Sequence, residues 1–257
     1  MLLFRSIVFN VLFYVTLIAY LIVSVTTLVL PRWGIISLAR SWAYVNLWLL
    51  RVVCGITVEW RGREKIPRGA LIVAGKHQSM WETFALLTLF PDPTFILKRE
   101  LMWIPFWGWC LWRGEMIPID RAAGKSVIPA MLVHAGRALA EGRQIIIFPE
   151  GTRRPPGAEP QYKYGVVHLY GLGEAPCLPV ALNSGLFWPR RKFVRRPGVI
   201  RVEFLDPIQP GLDNDTFFKH LQEVVEQATA RLIAEGERDL MPAAAAHNDG
   251  KRAQPGP

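Results

Sequence analysis

The stretch Leu71-Ile72-Val73-Ala74-Gly75-Lys76-His77-Gln78-Ser79-Met80-Trp81-Glu82 decides the architecture. Its first four residues form a short apolar run of the kind buried on both faces of a sheet. A polar turn follows, and Ser79 to Phe90 then reads as a helix ended by Pro91-Asp92-Pro93. A strand that passes through a turn into a helix is the unit of an α/β fold. The pattern recurs along the chain. Ile56 to Trp60 alternates at period two, and Thr94–Leu97, Met116–Ile119, Ile145–Phe148, Cys177–Leu182 and Val199–Phe204 are further strand-like runs. Ser126 to Glu141 is helical in pattern, with Ser126 as the cap and Gly142 as the stop. Asp215 to Glu235 is amphipathic, with Phe218, Leu221, Val225, Ala228 and Leu232 on one face. The reading predicts one α/β domain with a mixed, mostly buried β-sheet flanked by helices.

Ahead of this domain, Ser6 to Leu30 contains no charged residue. About 20 apolar residues suffice to cross a bilayer core. Pro31-Arg32-Trp33-Gly34 breaks the run, and Ile35 to Leu50 continues it with one charge, Arg40, and with Trp42, Tyr44 and Trp48. Such aromatics favour the lipid–water interface. Two arrangements fit: a spanning helix followed by a surface helix, or a helical hairpin dipping into one leaflet. Arg51, Arg61, Arg63, Lys65 and Arg68 follow closely, so the positive-inside rule places the main domain in the cytoplasm. The expected location is the cell inner membrane. The expected division is 1–52 as membrane-anchoring helices, 53–241 as the α/β domain and 242–257 as a disordered tail.

The formal net charge is +9 and 51% of the 257 residues are hydrophobic. A basic balance beside Trp-rich apolar stretches points to anionic lipid, and no nucleic-acid-binding motif accompanies it. Cys54, Cys110 and Cys177 are too scattered for a metal site or a disulfide framework and read as packing residues.

His77 is followed five positions later by Glu82. Across a strand-to-helix turn the carboxylate can hold one ring nitrogen and leave the other as a base. Ser79-Met80-Trp81-Glu82 equally matches a capping box, in which Glu82 bonds the Ser79 backbone. The spacing alone leaves both readings open. A second signal is Phe148-Pro149-Glu150-Gly151-Thr152-Arg153.

Four ordered blocks carry a resemblance. They are Lys76–Glu82, similar to a His-x4-Asp motif; Lys98-Arg99-Glu100-Leu101 with Ile104-Pro105, Gly108 and Ile119-Asp120-Arg121; Phe148–Arg153; and Leu178-Pro179-Val180-Ala181-Leu182-Asn183. In this order they resemble the glycerolipid acyltransferase family, nearest its bacterial 1-acylglycerol-3-phosphate acyltransferases. The departures are Glu82, where the family has Asp, and Lys76, where it often has Asn. The resemblance implies transfer of an acyl chain from acyl-CoA or acyl carrier protein to the sn-2 hydroxyl of lysophosphatidic acid, giving phosphatidic acid. It implies His77 and Glu82 as the catalytic pair, and Lys98, Arg121, Glu150, Gly151, Thr152 and Arg153 around the phosphate and glycerol. Glu150 is expected to orient Thr152 or Arg153, or to bond the glycerol hydroxyl. No metal is implied, and no cofactor beyond the thioester co-substrate.

The chemistry suits these residues. An alcohol needs a base, whereas a thiolate leaves without a strong acid. Direct attack needs no enzyme nucleophile, and no Gly-x-Ser-x-Gly elbow occurs. Backbone amides at the start of the Ser79 helix are the expected oxyanion donors. Leu101–Trp109 is a candidate acyl-tunnel or lipid-contact segment, and Arg190–Arg196 a candidate site for anionic lipid or CoA phosphates. Two other readings are a transferase acting on another lyso-lipid, such as lyso-ornithine lipid, and a non-enzymatic membrane scaffold.

Overall fold

A computed structural model describes residues 1–241, apart from the side chains of Arg121 and Lys125. The tail expected at 242–257 lies outside the described residues. The helices are α1 (Leu2–Ser24), α2 (Arg32–Leu49), α3 (Trp81–Ala85), α4 (Trp107–Arg113), α5 (Ile128–Ala140), α6 (Gly165–Tyr170), α7 (Ser184–Phe187) and α8 (Asn214–Leu240). The strands are β1 (Ile56–Arg61), β2 (Leu71–Gly75), β3 (Pro93–Lys98), β4 (Ile117–Ile119), β5 (Gln144–Ile147), β6 (Cys177–Leu182) and β7 (Gly198–Phe204). They form one seven-stranded sheet in the order β1-β7-β6-β2-β5-β3-β4. Among these strands β6 and β7 pair antiparallel and the other neighbours pair parallel. The sheet is therefore mixed, and its central strands are buried along their whole length.

Alternating side chains split this sheet between two cores. Leu71, Val73, Ile146, Leu178 and Val180 face the layer of α1, α2 and α3. Ile72, Ala74, Ile145, Ile147 and Cys177 face α5, α6 and α8. The amphipathic pattern of α8 holds for Leu221, Val225, Ala228 and Leu232, but Phe217 rather than Phe218 is the buried aromatic near its start. Asp213 caps this helix by accepting from Thr216 N.

Two local expectations shift and a third holds. The helix read over Ser79–Phe90 is only α3 plus a 3-10 turn at Leu86–Thr88. Thr83 and Thr88 hydroxyls bond carbonyls three residues back, and Arg40 from α2 takes the carbonyls of Leu87, Phe90 and Pro91. Those acceptors are diverted from a continuing α-helix. Ser126 does not cap α5, because its hydroxyl bonds Ala123 O. Gly142 does stand just past α5, at φ +75°.

The run Leu2–Val29 is long and apolar enough to cross a membrane, by length and composition. Its N-terminal half is nevertheless docked on the sheet domain. Phe9 and Phe13 are buried among Trp42, Phe84 and Trp188. Arg5 Nε donates to Val53 O, and Ser6 Oγ accepts from Arg195 N at 2.9 Å. The second apolar segment, α2, packs beside α1, and its first residue, Arg32, pairs with Asp92, Glu115 and Glu141. Many of the exposed large apolar side chains lie on the outward face of α1, with Trp33 and Trp48 on α2; Trp103, Trp109 and Trp112 are also exposed. The apolar N-terminal helix supports membrane association. The three cysteines are free thiols, and burial pushes the Cys54 thiol up to about 11.

Candidate active site

In parallel α/β sheets, ligands bind beyond the carboxyl ends of the strands. The four sequence blocks all lie at that edge. Lys76–Glu82 follows β2, the central strand; Phe148–Arg153 follows β5; Asn183 follows β6; Lys98 ends β3 and Asp120-Arg121 follows β4.

His77 Nδ1 lies 3.0 Å from Glu82 Oε1. The same oxygen accepts from Gln78 N at 2.7 Å and Ser79 N at 2.6 Å. Ser184 Oγ donates to Glu82 Oε2 at 2.8 Å. Glu82 is fully buried, whereas the His77 side chain keeps 15% of its surface. Three of these partners can only donate to the carboxylate, and Nδ1–H is the tautomer that makes a fourth bond. The lone pair of Nε2 is then left free of any hydrogen bond among the described residues. The capping box and the histidine clamp are therefore one structure, not alternatives: one carboxylate closes the turn and fixes the ring. Phe148 stacks on the imidazole, with centroids 4.1 Å apart and planes 15° apart.

The amides expected to serve as oxyanion donors are already occupied. Gln78 N and Ser79 N bond Glu82, and Trp81 N donates to Ser79 Oγ.

The other expected residues divide. Arg153 is half-buried beside the His77 turn, because Arg154 N donates to His77 O at 2.8 Å. Arg153 forms no ion pair among the described residues. Its proton affinity is lowered, first by burial and then by the charge of Arg190, with Glu82 opposing. Gly151 holds φ +64°, and a Cβ there would come within 3.2 Å of Lys163. Thr152 is exposed. Lys98 is half-exposed and pairs with Glu100 at 2.9 Å. Arg121 begins a 3-10 turn just after β4, and its side chain is outside the described residues.

Glu150 departs from its expected place among the substrate contacts. Its side chain is wholly buried, with Oε1 on Lys76 Nζ at 3.0 Å and Oε2 on His77 N at 3.2 Å. Burial holds its carboxyl above the ordinary range, and Lys76 opposes the shift. It faces neither Thr152 nor Arg153 in any described bond, and it supports the histidine turn from behind.

Sequence reasoning missed Ser184, Gln78 and the structural part of Lys76. Gln78 Oε1 accepts from Gly185 N at 3.0 Å, which locks the start of α7 onto the histidine turn. Lys76 Nζ also reaches Glu226 Oε1 on α8 at 2.6 Å. Ser184 directly follows the last block, and that adjacency was its one available signal.

Comparisons with known proteins give the family. A family model described as Acyltransferase matches residues 57–183. The chain is 36% identical over 202 residues to the 1-acyl-sn-glycerol-3-phosphate acyltransferase of Pseudomonas aeruginosa, covering 73% of this chain and 77% of that protein. It is 31% identical over 191 residues to the enzyme of the same name from Limnanthes alba, covering 68% and 67%. The crystal structure of the 1-acyl-sn-glycerophosphate (LPA) acyltransferase PlsC from Thermotoga maritima superposes with a TM-score of 0.72 at 23% identity, covering 90% of this chain and 98% of that one. That likeness carries the fold. With the bacterial relative matched over three quarters of its length, the chain belongs to the glycerolipid acyltransferase family that contains the 1-acyl-sn-glycerol-3-phosphate acyltransferases.

Proposed function

We propose that this protein transfers an acyl chain from an acyl thioester, acyl-CoA or acyl carrier protein, to the sn-2 hydroxyl of 1-acylglycerol-3-phosphate, forming phosphatidic acid. The observation that carries the reading is the clamped imidazole at the carboxyl edge of the sheet, with Nε2 free of hydrogen bonds and the nearby Arg153 free of ion pairs among the described residues. His77 Nε2 takes the hydroxyl proton as the oxygen attacks the thioester carbon. The C–S bond then breaks, and the thiol leaves with a proton returned from the imidazolium. Glu82 holds the ring tautomer and stabilises the imidazolium. Arg153 binds the acceptor phosphate, a partner suited to its two-pronged geometry. Lys98, Arg121 and Thr152 stand along the same edge as further phosphate and glycerol contacts, and Gly151 lets the backbone approach. Glu150 acts as a positioning residue behind His77.

The purified protein in mixed micelles, supplied with lysophosphatidic acid and labelled acyl-CoA or acyl carrier protein, is expected to yield labelled phosphatidic acid. Acceptors without a phosphate monoester, a lyso-ornithine lipid among them, should react far more slowly, since Arg153 would then be left half-buried and unpaired. Preferred turnover of the ornithine lipid would displace the phosphate acceptor. Vesicle binding without transfer from either donor would favour the scaffold reading.

At the membrane, α1 and α2 are proposed to lie as a hairpin in one leaflet of the cell inner membrane, with the sheet domain on the cytoplasmic side. The support is the docking of α1 through Arg5, Ser6, Phe9 and Phe13, which holds the helix along the domain instead of letting it project away. A cysteine introduced at Val29, between the two helices, should resist an impermeant maleimide added to the periplasmic side of intact cells. Ready labelling there would mean that α1 spans.

A further inference from the structure

The loop Trp188–Pro197 is the feature that the proposed function leaves unused. It lies past the family-matched segment, which ends at residue 183. It is fixed at both ends. On one side Ser184 bonds Glu82, Gly185 N bonds Gln78, and a Cβ on Gly185 would come within 2.8 Å of Pro156. On the other, the Arg195 guanidinium stacks 4.3 Å from the Trp188 ring centre and donates to Asn10 Oδ1 at 3.0 Å. Between these pins the chain turns through Arg191, at φ +58°. Arg190 thereby reaches the catalytic edge, and its Nη1 donates to Arg153 O at 2.9 Å. Its Nε is buried with no bonding partner among the described residues.

The Arg190 guanidinium is thus held on the backbone of Arg153, near enough for its charge to lower the proton affinity of Arg153, and neither arginine forms an ion pair among the described residues. Like charges so placed repel unless an anion lies between them. We infer that Arg190 is the second guanidinium of a phosphate-monoester site whose first is Arg153, supplied by the α7–β7 loop rather than by the family's motif segment. The inference rests on the acyltransfer reading for its ligand, the acceptor's phosphate, although acyl-CoA also carries a phosphate monoester on its ribose.

Steady-state kinetics of the full-length protein in mixed micelles separate these sources. Arg190→Gln is expected to raise KM for lysophosphatidic acid roughly 10- to 100-fold, the scale of a lost charge-assisted hydrogen bond, with a much smaller change in kcat. Arg190→Lys should recover part of the loss, because a point charge still attracts phosphate. A KM rise confined to acyl-CoA would overturn the acceptor assignment and place the donor's ribose phosphate in the site. Unchanged KM for both substrates, or a fall in kcat alone, would make Arg190 a strut under the Arg153 backbone and overturn the inference.

A second measurement does not depend on turnover. Glycerol 3-phosphate should raise the melting temperature of the wild type and raise that of Arg190→Gln less, since a ligand that binds only the folded state stabilises it. No effect on the wild type would overturn the site. A clear effect in a protein that fails to acylate lysophosphatidic acid would keep the site and reject the proposed function instead.

Discussion

His77→Ala is expected to lower kcat for phosphatidic acid formation by about 10²- to 10⁴-fold, the usual contribution of a positioned base. The protein should stay folded and membrane-bound. The imidazole is partly exposed and stacked on Phe148, and its loss leaves the Glu82 bonds to Gln78, Ser79 and Ser184 intact. His77→Asn is the sharper variant. Its amide N–H can still reach toward Glu82, but it offers no basic nitrogen. Turnover near wild type in either variant, with phosphatidic acid identified as the product, would reject His77 as the base.

Glu82 separates geometry from charge. In Glu82→Gln the amide oxygen can occupy the Oε1 position and accept from Gln78 N, Ser79 N and His77 Nδ1, while the amide NH₂ donates to Ser184 Oγ. The turn is preserved and only the negative charge beside the imidazolium is lost. The expected result is a fall in kcat smaller than that of His77→Ala, with little change in stability. Glu82→Asp restores the family's residue yet withdraws the carboxylate by one methylene. It must give up either the ring or the two turn amides. A misplacement of about 1 Å costs on the order of 10²-fold in rate, so this conservative change should be as damaging as Gln or more so. A wild-type rate in Glu82→Asp would show that the turn relaxes freely.

The strands were legible because buried runs such as Cys177–Leu182 leave no competing pattern, and β2 with its polar turn marked the candidate site. The pairing of His77 with Glu82 was legible too, since it spans five positions. Ser184 and Arg190 were not, because their partners are tertiary: Ser184 meets Glu82 across 102 positions and Arg190 meets Arg153 across 37. Glu150 was misplaced for the same reason. Its motif neighbours Thr152 and Arg153 suggested substrate, whereas its partner Lys76 stands 74 positions away. The helix over Ser79–Phe90 was overread because the pattern contains no sign that Arg40 will claim its last carbonyls.

Lys76→Met is expected to produce the largest loss of stability. Lys76 is 3% exposed and joins three parts of the fold: the histidine turn, Glu150 after β5, and Glu226 on α8, which also accepts from Tyr162 OH at 2.9 Å. Removing one member of a buried pair strands the other charge and typically costs about 3–5 kcal/mol. The pH dependence fixes the cause. Glu150 already has its folded pKa raised above the ordinary value by burial, with Lys76 opposing. A raised carboxyl pKa means that the folded state binds more protons than the unfolded one. Stability is then fully present below the unfolded pKa and is lost as pH rises through the folded one. Without Lys76 the folded pKa moves further up, so the deficit of Lys76→Met should be small near about pH 4 and grow steadily toward neutral pH. Melting temperatures across that range check the sign. Lys76→Met/Glu150→Gln removes the stranded charge and should recover most of the neutral-pH stability. A single variant that melts like wild type at neutral pH, or gains stability as pH rises, would sink the account. Recovery of stability need not restore rate. Glu150 Oε2 also holds His77 N, so the double variant separates the ion pair's support of the fold from its support of the histidine turn, with kcat reading the second.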